Sequence, residues 1–143
     1  DQAMTTDLQA LAKPVPDNWV HQKPGKFAAD YIKHGDAVQI ALSKLAVPPS
    51  QEITQLIRNA EGHVGGVVLR MVLQIDGNTV VIDEVGESER PGSVDAVKSA
   101  VSDAYKRCLM RCGVALSLYC EHYVLDQLLA QKNPTNERHD TAE

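Results

Sequence analysis

The sequence predicts an α+β fold, an antiparallel three-stranded sheet with one long helix packed on one face in the order β-β-β-α. Two observations carry most of that expectation. Between Val64 and Ile75 apolar residues recur at every second position, with Val67, Leu69, Met71, Leu73 and Ile75 on one side, which is the period of a strand. From Ser93 onward Val97, Val101, Ala104, Cys108, Cys112, Ala115 and Tyr119 recur every three or four residues, the period of a helix. Between them Asp76-Gly77-Asn78 marks a tight hairpin.

Residues 1–18 read as a flexible lead-in with a short helix around Thr6–Ala12, since Pro14 and Pro16 interrupt any longer pattern. Met4 reads as the natural start. Residues 19–131 form one core domain, and residues 132–143 a polar tail. Ala37, Val38, Ile40, Ala41, Leu42 and Leu45 give Asp36–Leu45 the spacing of a short amphipathic helix, stopped by Pro48-Pro49. Glu52–Ala60 alternates loosely, with Ile53 and Ile57 expected on one side. Val64–Ile75 is the central strand, whose other side carries Val68, Arg70, Val72 and Gln74. Thr79–Val85 is the return strand, and the polar loop GESERPG spans 86–92. Ser93 is the expected N-cap of the long helix, whose acids lie early (Asp95, Asp103) and whose bases lie late (Lys106, Arg107, Arg111), an order that suits the helix dipole. Gly113 weakens this helix. A second helix is expected at about Glu121–Gln131.

With 143 residues the chain holds one domain with a real core. No apolar run reaches the roughly 18 residues of a membrane helix, and no basic segment followed by an apolar stretch marks a signal peptide. Three cysteines, Cys108, Cys112 and Cys120, are an odd number, two of them inside a helical pattern. That argues against a disulfide framework and for a reducing, cytoplasmic setting. The formal charge of −5 counts against a generally basic, nucleic-acid-binding surface, so clustering must decide.

Clustering occurs in Ala96–Tyr119. On a helical wheel the apolar residues fill one arc, and Lys106, Arg107 and Arg111 fall outside it. Arg107 and Arg111, four apart, share a stripe that could follow phosphates along a strand. A solvated helix face, with Asp103 paired to Arg107, explains the same spacing.

Asp83-Glu84-Val85-Gly86, a polar loop, then Ala100-Val101-Ser102-Asp103-Ala104-Tyr105-Lys106-Arg107 with Gly113 six residues on, resembles the Rad-fifty-two family of single-strand annealing proteins. The likeness is to its bacterial and phage branch, of the DNA-damage-response protein A type. Trp19 with Lys23-Pro24-Gly25-Lys26, and Tyr31-Ile32 leading into the first helix, resemble the same branch, so the likeness spans about residues 19–119. The resemblance implies a core that assembles into homo-oligomeric rings or arcs, with single-stranded DNA in an outer groove floored by basic residues. By position Lys106 and Arg107 are its phosphate contacts, and Lys23 or Lys26 a further one. A basic position of the eukaryotic helix falls on Met110, for which Arg111 is the neighbouring substitute. The implied activity is annealing of complementary strands in recombination or repair, without ATP and with no cofactor; a recombinase or single-strand binding protein is a further candidate partner. One Trp, one Phe and four Tyr suit gripping of the backbone better than base stacking. An oligomeric scaffold of the same fold without strong DNA affinity is the alternative.

Other candidates carry less. Cys108, Cys112, Cys120 and His122 lack a close Cys-x-x-Cys pair and read as packing residues rather than zinc ligands. Asp83, Glu84, Glu87 and Glu89 read as a solvated turn rather than a metal site for a nuclease, with Gly86 letting the backbone turn. Gly62, Gly65 and Gly66 precede no Gly-Lys-Ser/Thr and no helix, so ATP hydrolysis is unsupported. Arg70, in an apolar strand, either faces the groove and touches DNA or pairs with a carboxylate on the exposed sheet face.

Overall fold

A computed structural model of the chain describes residues 6–23 and 30–132. Its centre is a sheet of order β3-β4-β5, with β3 at Ser50–Arg58, β4 at Val64–Ile75 and β5 at Asn78–Glu87, both pairs antiparallel. Helix α3, Ala96–Met110, rests on β4 and β5. Three helices lie around it: α1 at Asp7–Leu11, α2 at His34–Lys44 and α4 at Leu125–Lys132. A two-residue ladder, β1 (His21–Gln22) with β2 (Asp30–Tyr31), precedes α2.

The alternation in β4 holds along its length. Val67, Leu69, Met71, Leu73 and Ile75 are buried against the helices, while Arg70 points the other way and is exposed. The β4–β5 hairpin closes through Asp76 (φ 51°) and Gly77 (φ 80°), the pair of left-handed residues a two-residue turn needs to match strand twist. That turn also anchors the N-terminal segment. The Asp7 N–H donates to Asp76 Oδ1 at 2.8 Å, and the Asp76 N–H donates to Asp7 Oδ2 at 2.6 Å. Helix α1 is capped reciprocally by Thr6 and Gln9 and buries Leu11 and Ala12 in the core. Over its described part, the expected lead-in is therefore a packed element and not an appendage.

Four local expectations need correction. Ile53 and Ile57 do not share a side of β3. A bulge at Thr54 shifts the register, so that Ile53 pairs with Leu69 and Leu56 with Val67, while Ile57 pairs with Gly66. One extra residue inverts the alternation beyond it, which puts Ile53 and Leu56 on the helix side. The long helix starts at Ala96 after an Asp95 N-cap, not at Ser93, whose hydroxyl donates instead to the Arg90 carbonyl and the Asp95 carboxylate. It ends at Met110, well short of Tyr119. Gly113 adopts φ 101° and Ala115 φ 56°, and the chain turns into a 3-10 segment at Leu116–Tyr119. Gly113 terminates the helix because left-handed backbone suits glycine, and a side chain there would press on Ala12 at 3.1 Å. The second helix, α4, accordingly begins at Leu125 rather than Glu121.

Gly86 has a different role from the turn expected of it. It lies inside β5 where α3 crosses, and a Cβ there would sit 2.0 Å from the Ala100 carbonyl oxygen and 2.5 Å from the Ala104 nitrogen. Ala96, Ala100 and Ala104, buried at successive turns, complete this close approach. Replacing Gly86 with Ala forces helix and strand apart and should lower unfolding stability by at least about 3 kcal/mol in urea titration. Gly35→Ala in α2, where the space is open and φ is ordinary, should raise it by about 0.5 kcal/mol.

Candidate nucleic-acid interface

The close approach of α3 to β5 fixes where the cations go. Asp103 accepts the Glu87 backbone N–H at 3.0 Å, fastening the helix to the exposed edge of β5. One turn on, Arg107 Nε donates back to Asp103 at 3.3 Å, and a further turn on Arg111 Nε donates to Glu84 at 2.6 Å. Arg107 and Arg111 thus form a row along the strand edge, roughly 5–6 Å apart at their Cβ atoms, and both are exposed.

Lys106 lies beside that row but is half-buried. Its Nζ donates to the Ile32 carbonyl at 3.1 Å and lies 5.4 Å from the centroid of the Tyr31 ring. Tyr31 belongs to β2 and contacts the His21 ring of β1, so the small ladder serves as the seat for Lys106. Burial lowers the Lys106 pKa; Asp103 opposes the shift, and the neighbouring charges of Lys23 and Arg107 reinforce it. These three cations therefore share one electrostatic neighbourhood, although Lys23 is remote from the other two in sequence.

Lys23 and Arg107 line one open cleft of about 460 Å³ together with Glu87, Ser88, Glu89, Arg90, Ser99 and Asp103. The far wall is the 88–93 loop, held by the Ser88 N–H to the Gly65 carbonyl at 2.8 Å and the Gly92 N–H to the Val64 carbonyl at 2.9 Å. Lys23 pairs with Glu89 across the cleft, and Arg90 approaches Asp95 at 3.7 Å. Sequence reasoning missed Arg90, Ser88 and Ser99. The charged and hydroxyl residues of Glu87–Arg90 were the available signal, but only the bonds to β4 fold the loop back toward Lys23.

The remaining expected sites fall elsewhere. Arg70 makes a two-pronged pair with Asp83, at 2.9 and 3.1 Å, on the sheet face opposite α3, so it takes the carboxylate alternative and lies apart from the cleft. The Asp83 hydrogen bond raises the Arg70 pKa, and the reciprocal bond lowers that of Asp83. Lys26 lies outside the described residues. The acidic group is dispersed: the alternation of β5 turns Asp83 to Arg70 and Glu84 to Arg111, and Glu89, in the loop after the strand, engages Lys23. Cys108 and Cys112 are buried core residues, and burial, followed by nearby Glu84, pushes the Cys108 thiol up to about 11.

A search against protein-family models and a search against curated proteins found no match for the chain.

His34 stands behind the Lys106 seat. Its ring meets Tyr105 edge-on at 4.9 Å, and its buried Nδ1 has no hydrogen-bond partner among the described residues. Burial first, and Lys106 second, lower its pKa below 6.5. Unfolded chains therefore take up this proton before folded ones as pH falls. The contribution is absent above pH 6.5 and grows as a loss of stability below it, levelling off once the folded-state pKa is passed. Chemical denaturation from pH 8 to 5 should show that decline, and His34→Phe should flatten it while leaving stability at pH 8 unreduced.

Proposed function

We propose that this chain binds single-stranded DNA along its sugar-phosphate backbone and anneals complementary strands without ATP, as one protomer of a homo-oligomeric ring or arc. The reading places it in recombination or repair in the cytoplasm, with a recombinase or single-strand binding protein as a further candidate partner. The observation that carries it is the gathering of Lys23 and Arg107 at one open cleft on the β5 side of the β-β-β-α core, with Lys106 seated close to both and Arg111 extending the row. A row of cations matches a row of phosphates.

Two uncovered apolar surfaces support self-association. Ile53 and Leu56 lie on the helix side of edge strand β3 yet are each 43 % exposed, because α3 rests on β4 and β5. On the opposite sheet face Val81 and Val85 are about half exposed. Such surfaces mark contact sites. Repetition around an oligomer turns a short cationic row into a long track, so that modest affinity per protomer becomes avid binding.

The pairing of Lys23, Arg107 and Arg111 with carboxylates favours the second reading, an oligomeric scaffold of the same fold with little DNA affinity. The Lys23–Glu89 pair, exposed on both sides, is worth at most about 1 kcal/mol, so it yields to a polyanion if one binds. Anisotropy of a labelled oligo-dT should show binding that weakens steeply with salt. Lys23→Ala/Arg107→Ala should reduce affinity at least tenfold with the fold intact, whereas Arg70→Ala should leave it unchanged. Affinity in the double variant equal to that of the parent would remove the cleft from the site, and absence of binding at low salt would favour the scaffold.

A further inference from the structure

The cleft is electrically self-compensated. Lys23, Arg90 and Arg107 on its walls face Glu87, Glu89 and Asp103. The acids are not equivalent. Asp103 receives the Glu87 backbone N–H as well as Arg107, so it belongs to the fastening of α3 onto β5. Glu89 sits on the loop with its side chain 73 % exposed, and its ion pair is with Lys23, which comes from the other wall. The loop backbone is fixed by its bonds to Gly65 and Val64 and by the Arg90 N–H on Ser88 Oγ. Glu89 is therefore presented to Lys23 by the fold, while its side chain can leave without breaking any hydrogen bond of that backbone.

We propose that Glu89 is an intramolecular stand-in for a nucleic-acid phosphate, an acidic latch on Lys23 that the DNA backbone must displace. The inference rests on the single-strand-binding reading and adds to it an autoinhibitory contact that sets affinity and selectivity. A single small anion gains little by replacing a carboxylate already in place. A polyanion held by Arg107 and Arg111 presents its next phosphate at high local concentration and displaces the latch. The cleft thus favours a continuous phosphate chain over isolated phosphate ions. Ion release follows the same logic: once the latch is displaced Lys23 neutralises one phosphate with or without Glu89, so the latch changes affinity and not the number of neutralised phosphates.

The test uses the full chain and a fluorescein-labelled oligo-dT across a salt series, with Glu89→Gln, Lys23→Ala and the combined variant. Glu89→Gln should tighten binding about two- to fivefold at low salt and leave the slope of log K against log salt as in the parent. It should also lower the concentration of inorganic phosphate needed to compete the oligonucleotide away. The combined variant should bind like Lys23→Ala alone, since the latch acts only through that lysine. A Glu89→Gln protein with the parent's affinity overturns the latch while leaving DNA binding in place. The same gain persisting without Lys23 also overturns it, because a general reduction of negative charge would then explain the effect. If neither the parent nor Glu89→Gln binds at low salt, the single-strand-binding reading fails and the latch falls with it.

Discussion

The contact on which the rest depends is the near-touching of α3 and β5 at Gly86. A strand and a helix can come this close only where neither presents a large side chain, and here Gly86 meets Ala100 and Ala104. The consequence reaches beyond packing. With the helix drawn onto the strand, Asp103 reaches the exposed edge of β5 and binds the Glu87 N–H. Arg107 and Arg111 are then laid along that edge, and the loop that follows β5 becomes the opposite wall of the cleft. A bulkier residue at Gly86 would push the helix outward and dissolve the geometry of the cationic row, although no charged residue had changed.

The second constraint is the seating of Lys106. An ammonium group that gives one bond to the Ile32 carbonyl and rests over Tyr31 is a structural peg as well as a charge. It ties α3 to the segment that enters α2, and its charge extends toward Lys23 and Arg107. The exposed cations therefore meet a ligand first, and Lys106 adds field from behind. This division explains how cations gather locally in a chain of net charge −5, each exposed one of the row held by a carboxylate. The acids are spent on individual pairs across both sheet faces, and the residues that remain displaceable gather where the 88–93 loop meets the helix.

Much of the fold was legible because strand and helix periods are local. The bounds of β4 and its buried face follow from Val67 to Ile75 alone, and the hairpin from Asp76-Gly77. What was illegible depended on tertiary contact. The Thr54 bulge changes which of Ile53, Leu56 and Ile57 faces the helix, and no property of those residues announces it. The apolar spacing continues smoothly past Met110, yet the helix stops there, because Gly113 must let Ala12 approach. Of the candidate site, the helical cations could be read from Lys106, Arg107 and Arg111. The Asp103 partner of Arg107 could be read from the i, i+4 spacing, but those of Arg111 and Lys106 could not, since Glu84 and the Ile32 carbonyl arrive from distant segments. Arg70 shows the limit most clearly: strand alternation places it opposite the helix, but only the register with Asp83 supplies its partner.

The measurement that bears most directly on the gathered cations is amine footprinting. Mild acetylation of the folded protein, with and without a single-stranded oligonucleotide, followed by mass spectrometry, reports each lysine separately. Protection confined to Lys23, with Lys106 slow to react in both states and Lys13 and Lys44 labelled equally in both, is the predicted result. Unchanged labelling of Lys23, or protection centred on Lys13 and Lys44 instead, would contradict it.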